Sequence, residues 1–283
     1  MLTLPIPRVR TGQMTLKEAI ALLEEAGVGA PAHDAREIFS HFDGRDRLTL
    51  LTQPDLTASE TVEAAIHRRA SREPLQYIIG EVYFCNEVYR VSPDCLIPRP
   101  DTEILVEYAT KSIPRGESFL DLCTGSGCIA ISTLCGTTDT TAIAVDISEA
   151  ALNIARENAE KNAVSDRIEF LHASVLEPLP IDGKYFAILS NPPYIDEEVY
   201  LGLEKELFHE PKIALVAEGR GAIFYERLVP LGLSLLKDGG FLAFEIGYDQ
   251  AELLTHLAHE HGAKIEIIKD YGGNERVAVI RKA

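Results

Sequence analysis

Ser118-Phe-Leu-Asp-Leu-Cys-Thr-Gly-Ser-Gly127 is a short apolar run that stops at a turn punctuated by glycines. A run of this length ended by breakers reads as a buried strand over Ser118–Cys123 and a tight turn over Thr124–Gly127. The aliphatic segment Cys128–Leu134 then reads as a helix and Thr141–Val145 as a second strand, ending in Asp146. An amphipathic helix over Ser148–Asn162 completes the set. Strand, helix, strand in this spacing is a βαβ unit, whose first turn is where such units hold a nucleoside-type ligand.

Moving toward the C-terminus, Arg167–His172 reads as a strand and Tyr185–Ser190 as another, leading into Asn191-Pro192-Pro193-Tyr194. Neither proline donates to a ladder, so the strand must end there, and Asn191 sits at its carboxyl end, where open α/β sheets place ligands. Asn191 offers a side-chain carbonyl and Pro192 a main-chain carbonyl, while Pro193 biases residue 192 toward extended backbone. Two fixed acceptors suit the two N–H bonds of a planar NH2 group, with Tyr194 covering one face. Held this way, an amide or aromatic amino nitrogen keeps one lobe free for an electrophile and needs no strong base. A plain turn is the alternative reading of the tetrapeptide. Beyond it, Ala222–Leu236 is expected to be helical, Gly240–Ile246 a strand and Gln250–His261 a helix. Lys264–Lys269 and Arg276–Arg281 form a closing antiparallel pair around Gly272-Gly273-Asn274.

The turn narrows the choice of ligand. A dinucleotide fingerprint needs glycine at 123, 125 and 128, whereas the chain has Cys123, Gly125 and Cys128. Gly125 and Gly127 still let the backbone approach a ligand closely. S-adenosylmethionine carries no phosphate, and a turn of this kind accepts its methionine portion while Asp146 takes the ribose hydroxyls. Asp121 either orients the turn or meets the amino group. Asp146 has a second reading, as a helix-capping aspartate beside Ser148.

Toward the N-terminus, Thr15-Leu-Lys-Glu18 has capping-box form and opens a helix that ends at Gly27. Two further helical patterns, Ala32–Phe42 and Ala58–Ser71, make a small helical domain with Leu48–Leu51 between them. Arg68, Arg69 and Arg72 close it, either as a solvated helix end or as a docking patch. Residues 77–91 alternate around Asn86-Glu87 and read as a hairpin; Leu96–Glu103 is stiffened by prolines and leads into helix signals at Asp101 and Thr102. The expected divisions are 1–76 (helical, with 1–14 a loose leader), 77–95 (hairpin linker) and 96–283.

The 283 residues, 46% hydrophobic and 25% charged, suffice for one large domain and a small one. No apolar stretch approaches the roughly 18 residues of a membrane span, and residues 1–13 lack a signal peptide's apolar centre. Cys85, Cys95, Cys123, Cys128 and Cys135 form neither a Cys-x-x-Cys pair nor a zinc pattern, so no metal is expected and reduced, cytoplasmic thiols fit. Residues 1–76 hold 9 Lys/Arg against 11 Asp/Glu, which leaves −15 of the net −17 on the remainder. Such a surface repels a phosphate backbone.

Leu96–Glu103 (LIPRPDTE), Leu120–Gly127 (LDLCTGSG), Asn191–Tyr194 (NPPY) and Asp270–Val277 (DYGGNERV), in this order, resemble the bacterial peptide chain release factor N5-glutamine methyltransferases of the HemK/PrmC family. The resemblance implies a seven-stranded Rossmann-like class I methyltransferase sheet with a small helical N-terminal domain that docks the substrate. It implies methyl transfer from S-adenosylmethionine to the Gln of the Gly-Gly-Gln loop of release factors. Carried over by position, Asn191, Pro192, Pro193 and Tyr194 hold the substrate. Cys123, Thr124, Gly125, Ser126, Gly127, Asp146, Val175 and Asn191 meet the cofactor. Cys123 stands where many relatives have glycine, which is tolerable if it lies in the strand with negative φ. Ser174 and Val175 stand where relatives carry an Asp and an aromatic, leaving the adenine edge without its usual acid. Two rivals are a nucleic-acid adenine N6-methyltransferase, which needs a basic groove, and a catalytically silent module that only binds release factors.

Overall fold

The computed structural model describes residues 13–218 and 222–283, and the chain separates into two compact units, up to Ile79 and from Gly80 on. In the first, α1 (Leu16–Glu25), α2 (Pro31–Asp43), α3 (Arg47–Thr52), α4 (Glu60–Ala70) and α5 (Leu75–Ile79) surround a core that includes Leu16, Leu23, Ile38, Phe39 and Ile66. The capping box forms as its spacing demands: Thr15 Oγ1 accepts from Glu18 N–H and Glu18 accepts from Thr15 N–H. Two expectations need correction. Residues 1–12 of the proposed leader lie outside the described residues, but Met14 is buried and its carbonyl accepts from Ala58 N–H. Arg69 is no solvated helix end: its guanidinium donates to Asp34 at 2.7 Å, both side chains being buried. Burial of that cation is tolerable because its partner is buried with it.

The second unit opens with a hairpin, β1 (Glu81–Phe84) and β2 (Glu87–Arg90), narrower than the alternation suggested. Tyr77–Ile79 are helical instead, because the Pro74 carbonyl accepts from the N–H groups of Tyr77 and Ile78, and Gly80 at φ +84° ends the turn. A short 3-10 helix, Pro100–Thr102, leads into α6 (Glu103–Ser112). Then come β3 (Ser118–Leu122), α7 (Cys128–Gly136), β4 (Thr141–Asp146), α8 (Glu149–Lys161), β5 (Ile168–His172), β6 (Tyr185–Ser190) and α9 (Glu197–Tyr200). The chain continues as α10 (Ile223–Leu235), β7 (Leu236–Glu245), α11 (Ala251–Glu260), β8 (Ala263–Lys269) and β9 (Glu275–Lys282).

Strands β3 to β9 form one seven-stranded sheet in the order β5-β4-β3-β6-β7-β9-β8, with β9 antiparallel to both its neighbours and the sheet's other pairings parallel. Successive residues of the central strands serve opposite faces, as the pleat requires. Phe119, Ala187 and Leu189 join the core with α6 and α7, whereas Leu120, Leu122 and Ile188 join the core with α10 and α11. The strand expected from Gly240 begins earlier, at Leu236. The register to β6 shifts between Tyr185 and Ala187, and the glycine at 240 fits that irregularity because a Cβ there would lie 2.5 Å from the Phe186 carbonyl oxygen. The strand order reverses between β3 and β6, and the crevice this leaves at their carboxyl ends is the ligand position of open α/β sheets.

Candidate active site

Register alone brings the site together. Leu122 pairs with Ser190 and Ser190 with Phe244, so Cys123 and Asn191, which follow β3 and β6, and Glu245, the last residue of β7, stand at one level on three adjacent strands. Asp146 ends the next strand. A cavity of about 220 Å³ opens there, lined by Cys123, Thr124, Gly125, Ser126, Asp146, Val175, Asn191 and Pro193 together with Leu96, Pro98, Arg99, Thr102 and Phe224. Of the residues expected at the site, Gly127, Pro192 and Tyr194 do not line it.

Cys123 is not in negative-φ strand backbone as expected; its φ is +63° because the chain already turns at the first residue after β3. That conformation costs a side-chain-bearing residue about 1 kcal/mol. Burial pushes its thiol well above the usual range, helped by the carboxylates of Asp146 and Asp121. Gly125, at φ +56°, has nothing within 4 Å of where a Cβ would point, so its bare backbone faces the cavity. Gly127 serves packing instead: φ is +82°, and a Cβ would meet the side chains of Ile131 at 2.8 Å and Ala155 at 3.1 Å.

Two carboxylates hold this turn. Asp121 is fully buried; its Oδ2 accepts from Thr124 Oγ1 at 2.6 Å and Ala130 N–H at 3.1 Å, while Oδ1 has no partner. Desolvation lifts it to about 7, against the lowering by its two donors. Asp146 accepts from Gly125 N–H at 2.8 Å and Ser148 N–H at 2.9 Å, so it ties the turn to the start of α8. Ser148, not Asp146, caps that helix. Burial raises the Asp146 carboxyl above its ordinary value while the N–H groups of Ser148, Gly125 and Ile147 oppose the shift.

Asn191 is held from behind. Its Nδ2 donates to Thr102 Oγ1 at 3.3 Å, and Thr102 Oγ1 donates to Glu245 at 2.5 Å. The other Glu245 oxygen accepts from the Tyr194 hydroxyl at 3.2 Å. With Nδ2 engaged, the acceptor Oδ1 is the free edge of the Asn191 amide. Tyr194 packs against the core shared with α10 and α11 and does not line the cavity. Glu245 is 2% exposed; burial raises its carboxyl, opposed chiefly by the Thr102 hydroxyl and by Arg276. Arg276 in turn pairs with Asp101 and Asp270, each at 3.3 Å. The stiff segment is pinned from the other side: buried Glu210 accepts from Ile97 N–H at 3.0 Å and pairs with Arg99.

Thr102, Glu245 and Glu210 are the residues the sequence reading missed. Each lies far along the chain from its partner, and a buried Glu at the end of an apolar run was the one available sign, since unpaired acids are rarely buried. At the other wall Val175 is 4% exposed and Ser174 accepts from Leu176 N–H, so this edge offers apolar packing and one hydroxyl.

Residues 15–80 match a family model described as PrmC N-terminal domain, and residues 100–237 match one described as Methyltransferase small domain. A release factor glutamine methyltransferase of Aliivibrio fischeri is 37% identical over 270 residues, spanning 93% of this chain and 95% of that protein. One from Clostridium botulinum is 36% identical over 276 residues, spanning 94% and 98%. Among solved structures, a ribosomal protein L11 methylase from Lactobacillus delbrueckii subsp. bulgaricus shares the fold at 23% identity, with a TM-score of 0.52 over 71% of this chain and 89% of that one. Near-complete overlap at this identity, across both compact units, makes the chain a member of the release factor glutamine methyltransferase family.

Proposed function

We propose that the protein methylates the side-chain amide nitrogen of the Gln in the Gly-Gly-Gln loop of peptide chain release factors. The observation that carries this reading is Asn191 itself, which lines the cavity with its Nδ2 engaged by Thr102 and its Oδ1 left as the acceptor. An acceptor there suits a neutral amide donor and repels a carboxylate.

S-adenosylmethionine supplies, when bound, a methyl group on a sulfonium that leaves readily. The residues fit it: the bare backbone of Gly125 leaves room for a ligand, and Asp146 lines the same cavity with a carboxylate suited to vicinal hydroxyls. Cys123 to Ser126 would bound the methionine portion, and Val175 would pack beside the adenine. Asn191 Oδ1 would take one amide hydrogen and hold the nitrogen facing the methyl; the Pro192 carbonyl, the second acceptor expected from the sequence, belongs to a buried residue that does not line the cavity. Pro193, buried at the cavity wall, helps exclude water. Tyr194 acts through its bond to Glu245, keeping the turn in place. Most of the acceleration then comes from orientation. The helical unit is read as the element that selects whole release factor, and the reduced thiols as those of a cytoplasmic protein.

Replacing Asn191 by Ala is expected to raise the barrier by about 2–4 kcal/mol with cofactor affinity nearly unchanged, since one preorganised acceptor is lost. Turnover of purified release factor with labelled cofactor, beside calorimetry of cofactor binding, checks it. Parallel loss of both would take Asn191 out of the substrate role. A release factor with Gln replaced by Glu should accept no label, nor should DNA at low salt, where phosphate attraction is strongest.

A further inference from the structure

The segment that follows the clamp has more exposed apolar surface than a plain connection requires. It leaves at Ile195 and returns to it: Ile195 N–H donates to the Leu215 carbonyl at 2.9 Å, and Ala217 N–H donates to the Ile195 carbonyl at 3.0 Å. Between those ties α9 and two 3-10 turns, Lys205–His209 and Lys212–Ala214, fold on one another. The Tyr200 and Phe208 rings lie 5.1 Å apart, and Lys212 sits over Tyr200 while pairing with Glu197. Pro211, Ile213 and Ala214 form part of the cavity wall. Yet Val199 is 57%, Leu201 72% and Phe208 46% exposed, although the segment could have hidden them or replaced them with polar residues.

Its charge is as one-sided as its apolarity. Residues 196–214 carry Asp196, Glu197, Glu198, Glu204 and Glu206 against Lys205 and Lys212, the sixth acid, Glu210, being buried and paired with Arg99, and they lie in the part of the chain, from residue 77 on, that bears −15. A nucleic acid is repelled by such a surface, and so is a second copy of a chain with net charge −17. A polypeptide with basic residues around an apolar anchor is attracted. Any acceptor protein whose side chain reaches Asn191 must also pass the wall that this segment builds.

We propose that residues 196–213 are a docking surface for a basic, apolar-anchored segment of the acceptor protein that lies outside the acceptor loop itself. This inference rests on the protein-acceptor reading above. Its occupants meet Val199 and Leu201 with apolar side chains and Glu198 and Glu204 with Lys or Arg.

The test uses the full chain with two double variants, Val199→Ser with Leu201→Ser, and Glu198→Lys with Glu204→Lys. None of these four residues lines the cavity. KM for whole release factor should rise roughly tenfold or more in each, with kcat and the cofactor dissociation constant within about twofold. KM for a short Gly-Gly-Gln peptide should stay at the wild-type value, and added salt should raise the wild-type KM for the protein more than that of the charge-reversed variant. Unchanged KM for the protein in both variants overturns the surface, as does an equal loss on protein and peptide, which marks a structural role. Wild-type protein that labels neither acceptor overturns the functional reading itself, and the surface falls with it.

Discussion

Thr102 is one hydroxyl between two partners, and its position lets a single substitution test how Asn191 is held. Thr102→Val removes both bonds and leaves the buried Glu245 short of a donor, a loss of about 1–3 kcal/mol. Turnover should fall about tenfold to a hundredfold with cofactor binding intact, and Thr102→Ser should restore most of it. Failure of the serine to rescue would point to lost packing by the methyl group instead. Asp121 permits a test with a definite sign. Its folded value of about 7 lies above the 3.8 of an unperturbed carboxyl, so its stability contribution is fully present below about pH 4 and lost as pH rises through 7. Asp121→Asn has no such titration. The stability of wild type relative to this variant, from urea unfolding, should therefore fall between pH 4 and 7; a constant difference would mean that Asp121 is ionised throughout. Neither residue's setting was legible in the sequence. The Asn-Pro-Pro-Tyr stop and the glycine turn were, because prolines and glycines act on their own backbone. The φ of Cys123 was not, since alternation along a strand does not say which residue first leaves it.

At the level of elements, α7 and α8 depend on a contact made through a missing side chain. Gly127→Ala must place a methyl against Ile131 and Ala155 and also hold a positive φ, so it should destabilise the second unit by about 1–3 kcal/mol. Gly125→Ala has the same backbone strain without the overlap and should cost less, roughly 1 kcal/mol, while weakening cofactor binding more. Denaturant midpoints and calorimetry on the two variants separate packing from ligand approach. Reversed rankings would exchange the roles given to the two glycines. Most elements could be read from periodicity and breakers. What could not be read was decided by partners: Tyr77–Ile79 went to helix because Pro74 offers its carbonyl, and β7 started early because β6 accepts a shifted register. Arg69 looked like a solvent-facing charge until α2 brought Asp34 against it.

On the scale of the whole molecule, the unit from Gly80 on contains the entire cavity, so removing residues 1–79 should leave a folded domain that still binds cofactor. Activity on whole release factor should drop strongly, and activity on a Gly-Gly-Gln peptide little. Equal losses would mean that the helical unit sustains the site and does not select the acceptor. The sheet order carries one more consequence, for the time when the chain is being made. Because β9 inserts between β7 and β8, a growing polypeptide presents β8 with no neighbour and β7 with a bare edge until β9 has left the ribosome. Open apolar edges are what chaperones meet and what aggregates recruit. Arg276, on β9, is also the cation that sits near Glu245 and binds Asp101. A nascent chain halted before residue 275 would thus be both sticky and without a finished clamp, and such a fragment should bind holdase chaperones yet transfer no methyl groups.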